Sequence, residues 1–272
     1  MLTIILGYCA VGVVAGVLAG LLGIGGGLVI VPVLIYTLTL QRVEHEMIMH
    51  MALATSMASI IFTSISSFMS HHRRGAVRWD IVKKITPGIL IGTFLGSCVA
   101  SAMPTLWLKT VFVVFLYTMA WQMLANKKPK ASRNLPGMAG ISAVGGVIGV
   151  VSSLVGIGGG SLSVPFMLWC NVVVHHAIGT SAAIGLPIAV AGTIGYVWNG
   201  WGVANLPQYS FGYVYLPACL GIVACSMLTA PFGVWLAHRL PVDTLKRVFA
   251  VLLLILATKM LWELARPWIP AI

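Results

Sequence analysis

Three consecutive glycines in an apolar stretch are poor material for a helix, and this chain carries them twice. Gly23-Ile24-Gly25-Gly26-Gly27 is followed by Val31-Pro32, and Gly156-Ile157-Gly158-Gly159-Gly160 is followed by Val164-Pro165. Glycine inside a helix costs about 1 kcal/mol relative to alanine. Each cluster is therefore expected to unwind the chain and to start a new helix, at about Leu28 in the first case and at Ser161 in the second. A helix start presents unpaired N–H groups and the positive end of the peptide dipole, which together hold an anion without a cationic side chain. Packing is the competing use, because small residues let membrane helices approach closely. A nucleotide-binding loop does not fit, since no strand precedes the clusters and no Lys-Ser or Lys-Thr follows them.

Hydroxyls and histidines recur at matching places downstream. His50-Met51-Ala52-Leu53-Ala54-Thr55-Ser56 is echoed by His175-His176-Ala177-Ile178-Gly179-Thr180-Ser181. Thr55, Ser56, Thr180 and Ser181 could converge on one oxyanion; the plainer role for such residues is to bond backbone or a neighbouring helix. Ser59, Thr63 and Ser66 continue that polar line in the first half. His50 and His175 should lie near a membrane surface, as capping or solvated groups or as carriers of a coupling proton, since histidine titrates near neutrality. No carboxylate or thiol stands beside them at ligand spacing, so a metal site is not expected. Nor does any motif ask for a cofactor.

The elements that must position these groups are membrane segments. Of 272 residues 59% are hydrophobic and 8% charged, and the mean hydropathy is +1.01, whereas charged residues make up about a quarter of a soluble domain. Apolar runs follow one another with short polar breaks: about 2–22, 28–40, 47–70, 83–102 and 106–125, then 137–155, 161–172, 177–198, 212–237 and 246–264. The run after each glycine cluster is too short for the roughly 30 Å hydrocarbon core and reads as a half-helix or re-entrant arm. The expected fold is all-helical and polytopic, with repeats over 1–125 and 137–272 joined by a linker at 126–136. Pro104 with Lys109 and Pro241 with Lys246 supply a third echo of the duplication.

Charge sets the orientation. The net charge of +11 sits in short loops and argues for topology, not for nucleic acid. Arg73, Arg74, Arg78, Lys83 and Lys84 place one loop on the cytoplasmic side, and Lys127, Lys128, Lys130 and Arg133 place the linker there too. The second-half counterpart of the first loop, Asn199 to Phe211, is uncharged, while the next loop carries His238, Arg239, Lys246 and Arg247. The halves should thus be inverted, as in secondary transporters that bind substrate at the repeat interface.

All five acidic residues, Glu44, Glu46, Asp80, Asp243 and Glu263, fall in or near loops or segment ends, where a cation transporter would keep one at depth. Neither Gly-x-Ser-x-Gly nor His-Glu-x-x-His occurs, which disfavours a membrane-embedded enzyme. Cys9, Cys98, Cys170, Cys219 and Cys225 lie in apolar segments without a Cys-x-x-Cys pair and read as packing. Trp198, Trp201, Trp262 and Trp268 mark segment ends.

The two Gly-x-Gly-Gly-Gly-x4-Pro clusters, the paired His/Thr-Ser echoes and the Pro/Lys turn before each last segment resemble the sulfite exporter TauE/SafE family, grouped with toluene-sulfonate uptake permeases. The likeness covers nearly the whole chain and rests on Gly25, Gly26, Gly27 and Pro32 with Gly158, Gly159, Gly160 and Pro165. It implies an inner-membrane permease for sulfite, sulfonates or related sulfur oxyanions. Residues and resemblance together predict alternating access, with the halves rocking about the glycines; a passive anion channel ranks second and an enzyme a distant third. In a cysteine-free background, Arg74→Cys and Gly202→Cys should be labelled by impermeant reagents from opposite sides. Labelling of both from one side would refute the inversion.

Overall fold

The computed structural model describes residues 2–23, 25–125, 134–237, 239 and 242–265. The described chain forms helices α1 (Leu2–Leu22), α2 (Gly27–Leu40), α3 (His45–His72), α4 (Trp79–Ala102), α5 (Thr105–Ala125), α6 (Met138–Val155), α7 (Gly160–Trp169), α8 (Val174–Gly200), α9 (Leu216–Ala237) and α10 (Val242–Ala265). These agree with the hydropathy segments to within about one helical turn, the usual scatter of helix ends. Most of the linker, with its Lys127, Lys128, Lys130 and Arg133, lies outside the described residues, as do Ile24, His238, Pro241, Trp268 and the side chain of Lys246.

Helices α3, α4, α5, α6, α8 and α9, and Arg247–Ala265 of α10, are long and apolar enough to cross a membrane, which makes this a multi-pass integral membrane protein. Helices α2 and α7, of 14 and 10 residues, rise only about 21 Å and 15 Å at 1.5 Å per residue. The expectation of short second segments therefore holds. One detail departs from an all-helical chain: β1 (Ser210–Phe211) pairs antiparallel with β2 (Val214–Tyr215) inside the uncharged loop. Gly212, at φ 55°, supplies the positive angle that a two-residue hairpin turn needs.

The core centres on α3 and α8, whose middles are enclosed by the other helices. The most extensive pairings join α1 to α9 and α4 to α6, followed by α3 with α8, α4 with α8, α5 with α10, and α3 with α9. Exchanging each helix for its counterpart in the other half turns α1–α9 into α6–α4 and α3–α9 into α8–α4, so the scheme repeats. Both strongest crossings run on glycine. Gly12, Gly16 and Gly20 of α1 meet α9, and Gly88, Gly92 and Gly96 of α4 meet α6, each spaced every fourth residue. Added methyls would strike the carbonyl oxygens of Ile222 at Gly12, Ala230 at Gly20, Ser142 at Gly88 and Gly146 at Gly92. Packing of backbone on backbone is what drives membrane helices together when lipid is as apolar as the side chains. Trp198, Trp201 and Trp262 are mostly exposed at helix ends, as belt residues should be.

Gly92→Ala should therefore destabilise the protein by about 1–3 kcal/mol through overpacking. Gly146→Ala, whose methyl meets only the Gly88 carbonyl oxygen at 3.7 Å, should be tolerated. Thermal unfolding of both variants in one detergent checks this; equal midpoints would remove glycine packing as the cause of the crossing.

Candidate functional site at the paired glycine turns

Helix α1 ends at Leu22 and α2 begins at Gly27; α6 ends at Val155 and α7 begins at Gly160. The first break uses three glycines at positive φ, Gly23, Gly25 and Gly26, and the second uses two, Gly156 and Gly159. Gly23 and Gly156, at φ 68° and 70°, close the earlier helix, and Gly26 and Gly159, at φ 78° and 74°, precede the next. A side chain at such angles is strained, which is why glycine stands there. The Gly26 carbonyl accepts from the amides of Val29 (3.1 Å) and Ile30 (3.2 Å), and the Gly159 carbonyl from those of Leu162 (3.1 Å) and Ser163 (2.9 Å). In the second turn the amides of Gly158, Gly159, Gly160 and Ser161 donate to nothing among the described residues.

The two turns touch. A Cβ at Gly25 would lie 3.2 Å from the Gly158 Cα, and one at Gly27 would strike the Gly156 carbonyl oxygen. Gly25, Gly26, Gly27, Gly158, Gly159, Gly160 and Ser161 are all buried. The broken helices are thus side by side inside the protein, and glycine serves both the break and the close approach.

The Thr-Ser pairs bind the halves to each other. Ser56 Oγ donates to the Gly156 carbonyl (2.8 Å) and Ser181 Oγ to the Gly23 carbonyl (3.1 Å), each capping the helix broken in the other half. Thr55 Oγ1 accepts the Tyr215 amide (2.9 Å) just before α9, and Thr180 Oγ1 accepts the Arg78 amide (3.0 Å) just before α4. These hydroxyls surround the turns, with each serine proton directed at a carbonyl. Further along α3, Thr63 Oγ1 pairs with Ser226 Oγ (2.8 Å) and Ser66 Oγ donates to the Met227 carbonyl (2.7 Å), joining α3 to α9.

The histidines are not equivalent. Helix α3 begins five residues before His50 and α8 one residue before His175, so the same sequence register gives different surroundings. His50 is 7% exposed and stacks on Tyr213 at 5.3 Å. Its Nδ1 faces the Glu46 carbonyl (3.0 Å) and its Nε2 the carbonyls of Ala100 and Met103 (both 3.2 Å) at the end of α4. His175 is exposed. Thr93 and Ser152, fully buried and with hydroxyls that have no partner among the described residues, escaped the sequence reading because neither residue belongs to a repeated motif.

Paired broken helices, cross-capped inside a multi-pass bundle, define a class of helical membrane proteins with a backbone-lined centre. The chain belongs to the sulfite exporter TauE/SafE family, whose model matches residues 8–260. It is 38% identical over 263 residues to a "Probable membrane transporter protein" of Haemophilus influenzae, covering 96% of this chain and 99% of that one. It is 25% identical to "Probable membrane transporter protein MJ0441" of Methanocaldococcus jannaschii, covering 92% and 93%, and 23% identical to "Probable membrane transporter protein YunE" of Bacillus subtilis, covering 93% and 95%. No solved structure matches it significantly.

Ser56→Ala and Ser181→Ala each leave a buried carbonyl without its cap, at a cost of about 1–3 kcal/mol. Each variant should unfold at a lower temperature in detergent. Unchanged midpoints in both would mean that these hydroxyls do not brace the breaks.

Proposed function

We propose that the protein is a secondary transporter that moves a small sulfur-containing oxyanion, such as sulfite or an organosulfonate, across the cytoplasmic (inner) membrane by alternating access. The observation that carries this reading is the pair of buried helix starts in backbone contact, Gly25 against Gly158. Unpaired amides at a helix start attract negative charge, and broken helices at the repeat interface are where secondary transporters bind substrate. The family description and the relatives' names point the same way.

The halves are inverted repeats in this reading. Its support is the loop-charge contrast, the repeating pairing scheme, and the reciprocal bonds Ser56–Gly156 and Ser181–Gly23. The moving bodies differ from blocks 1–125 and 137–272, because the tightest pairings, α1–α9 and α4–α6, each combine both halves. Rocking runs between these mixed pairs, about the glycine turns. His50 is the candidate for proton coupling: a neutral imidazole donates from one nitrogen only, and protonation lets it serve carbonyls on both sides.

Counterflow in proteoliposomes tests the proposal. Labelled sulfite or methanesulfonate uptake should accelerate when the unlabelled anion is trapped inside. Flux without trans-acceleration would make the protein a channel, and an absence of flux for sulfite, sulfate, thiosulfate and organosulfonates would remove the oxyanion reading.

A further inference from the structure

Buried polar atoms in a folded protein nearly always have a partner, and one without a partner calls for a water, an ion or a ligand. Three such hydroxyls belong to Thr93 on α4, which packs on α6, to Ser152 on α6, and to Ser161 in the first turn of α7. Thr93 and Ser152 are fully buried and Ser161 is 5% exposed. Ser152 Oγ lies 3.4 Å from the point where a side chain at Gly159 would begin, and Gly159 is the residue from which α7 starts. Thr93 reaches α6 one turn earlier, its Oγ1 being 2.6 Å from the corresponding point at Gly149. With the free amides of Gly160 and Ser161, these donors sit at the positive end of a ten-residue helix.

The first half lacks them. Matching Gly23 to Gly156 aligns Ser152 with Ala19 and Ser161 with Leu28. Matching Arg78 to Tyr215, through their equivalent bonds to Thr180 and Thr55, aligns Thr93 with Ala230. Ala19, Leu28 and Ala230 are all buried and apolar. Hydroxyls that serve the shared scaffold occur in both halves, as Ser56 and Ser181 do. Hydroxyls found in one half only, and bonded to nothing among the described residues, serve something that the scaffold does not contain.

We propose that Thr93, Ser152 and Ser161 are hydroxyl ligands of the transported anion, which the α6–α7 turn holds by amides and hydroxyls while the α1–α2 turn adds no hydroxyl to it. This rests on the oxyanion-transport reading above. The site is chemically one-sided, and it favours an anion whose oxygens gather at one pole, as in sulfite or a sulfonate, over sulfate with its four equivalent oxygens.

The test uses the full chain in detergent, with sulfite, methanesulfonate and sulfate as probes, read by calorimetric titration and by unfolding temperature with and without anion. Thr93→Val, Ser152→Ala and Ser161→Ala should each bind sulfite and methanesulfonate about tenfold more weakly, the scale of one hydrogen bond to a charged group. Their ligand-free unfolding temperatures should be unchanged or higher, because an unpartnered buried hydroxyl has been removed. Thr63→Val, which breaks the internal pair with Ser226, should lose stability and keep affinity. Wild-type affinity in all three variants, with or without a loss of ligand-free stability, overturns the assignment and leaves the transport reading standing. A wild-type protein that neither binds nor exchanges any of the three anions rejects the transport reading, and this assignment with it.

Discussion

A backbone carbonyl or amide within a bilayer has no water to bond, so a helix can break there only where the protein replaces the lost partners. The rest of this structure follows from how that requirement is met. The breaks at Gly23–Gly26 and Gly156–Gly159 free carbonyls at the ends of α1 and α6. The replacement donors come from the other half: Ser181 caps Gly23, and Ser56 caps Gly156. Neither break is completed by its own repeat. That mutual dependence explains why α3 and α8, which carry the capping serines, are the most enclosed helices of the bundle.

The same economy governs the periphery. With lipid outside, burial of apolar side chains gives helices little reason to associate, and close backbone contact must do so instead. The glycine rows of α1 and α4 supply it, at the crossings with α9 and α6. Large apolar side chains such as Trp121 and Leu228 are left on the outer surface, where hydrocarbon is their solvent.

Much of this was legible in the sequence, because the bilayer limits what an apolar run can become. Segment number, the short α2 and α7, and the positions of both breaks follow from run length and the two triple glycines. Partners were harder to read. Thr55 and Ser56 look like a matched set of ligands for an anion, yet their bonds run to Tyr215 and Gly156, 160 and 100 residues away, and only the crossing of α3 with the second half reveals them. The β1–β2 hairpin was missed because each strand has two residues and no alternating pattern to display. His50 and His175 share a register but differ in depth, since α3 starts one turn further upstream; helix starts are where pattern is least informative.

Under the proposed alternating access, the helix pairing also limits how the protein can move. If residues 1–125 and 137–272 separated as rigid blocks, the α1–α9 and α4–α6 crossings would both open, and these are the contacts in which backbone meets backbone. Contacts of that kind have no side-chain freedom to take up a shift. Motion that keeps them must carry α1 with α9 and α4 with α6, so that each mobile unit takes helices from both repeats. The glycine turns then lie at the joint, because Gly25–Leu22 leads back into one unit and Gly158–Val155 into the other. A substrate held there would feel both units at once. In the proposed transport reading, the unequal hydroxyl content of the two turns would let one unit grip the anion while the other slides past it, a division of roles that strict symmetry between the repeats could not provide.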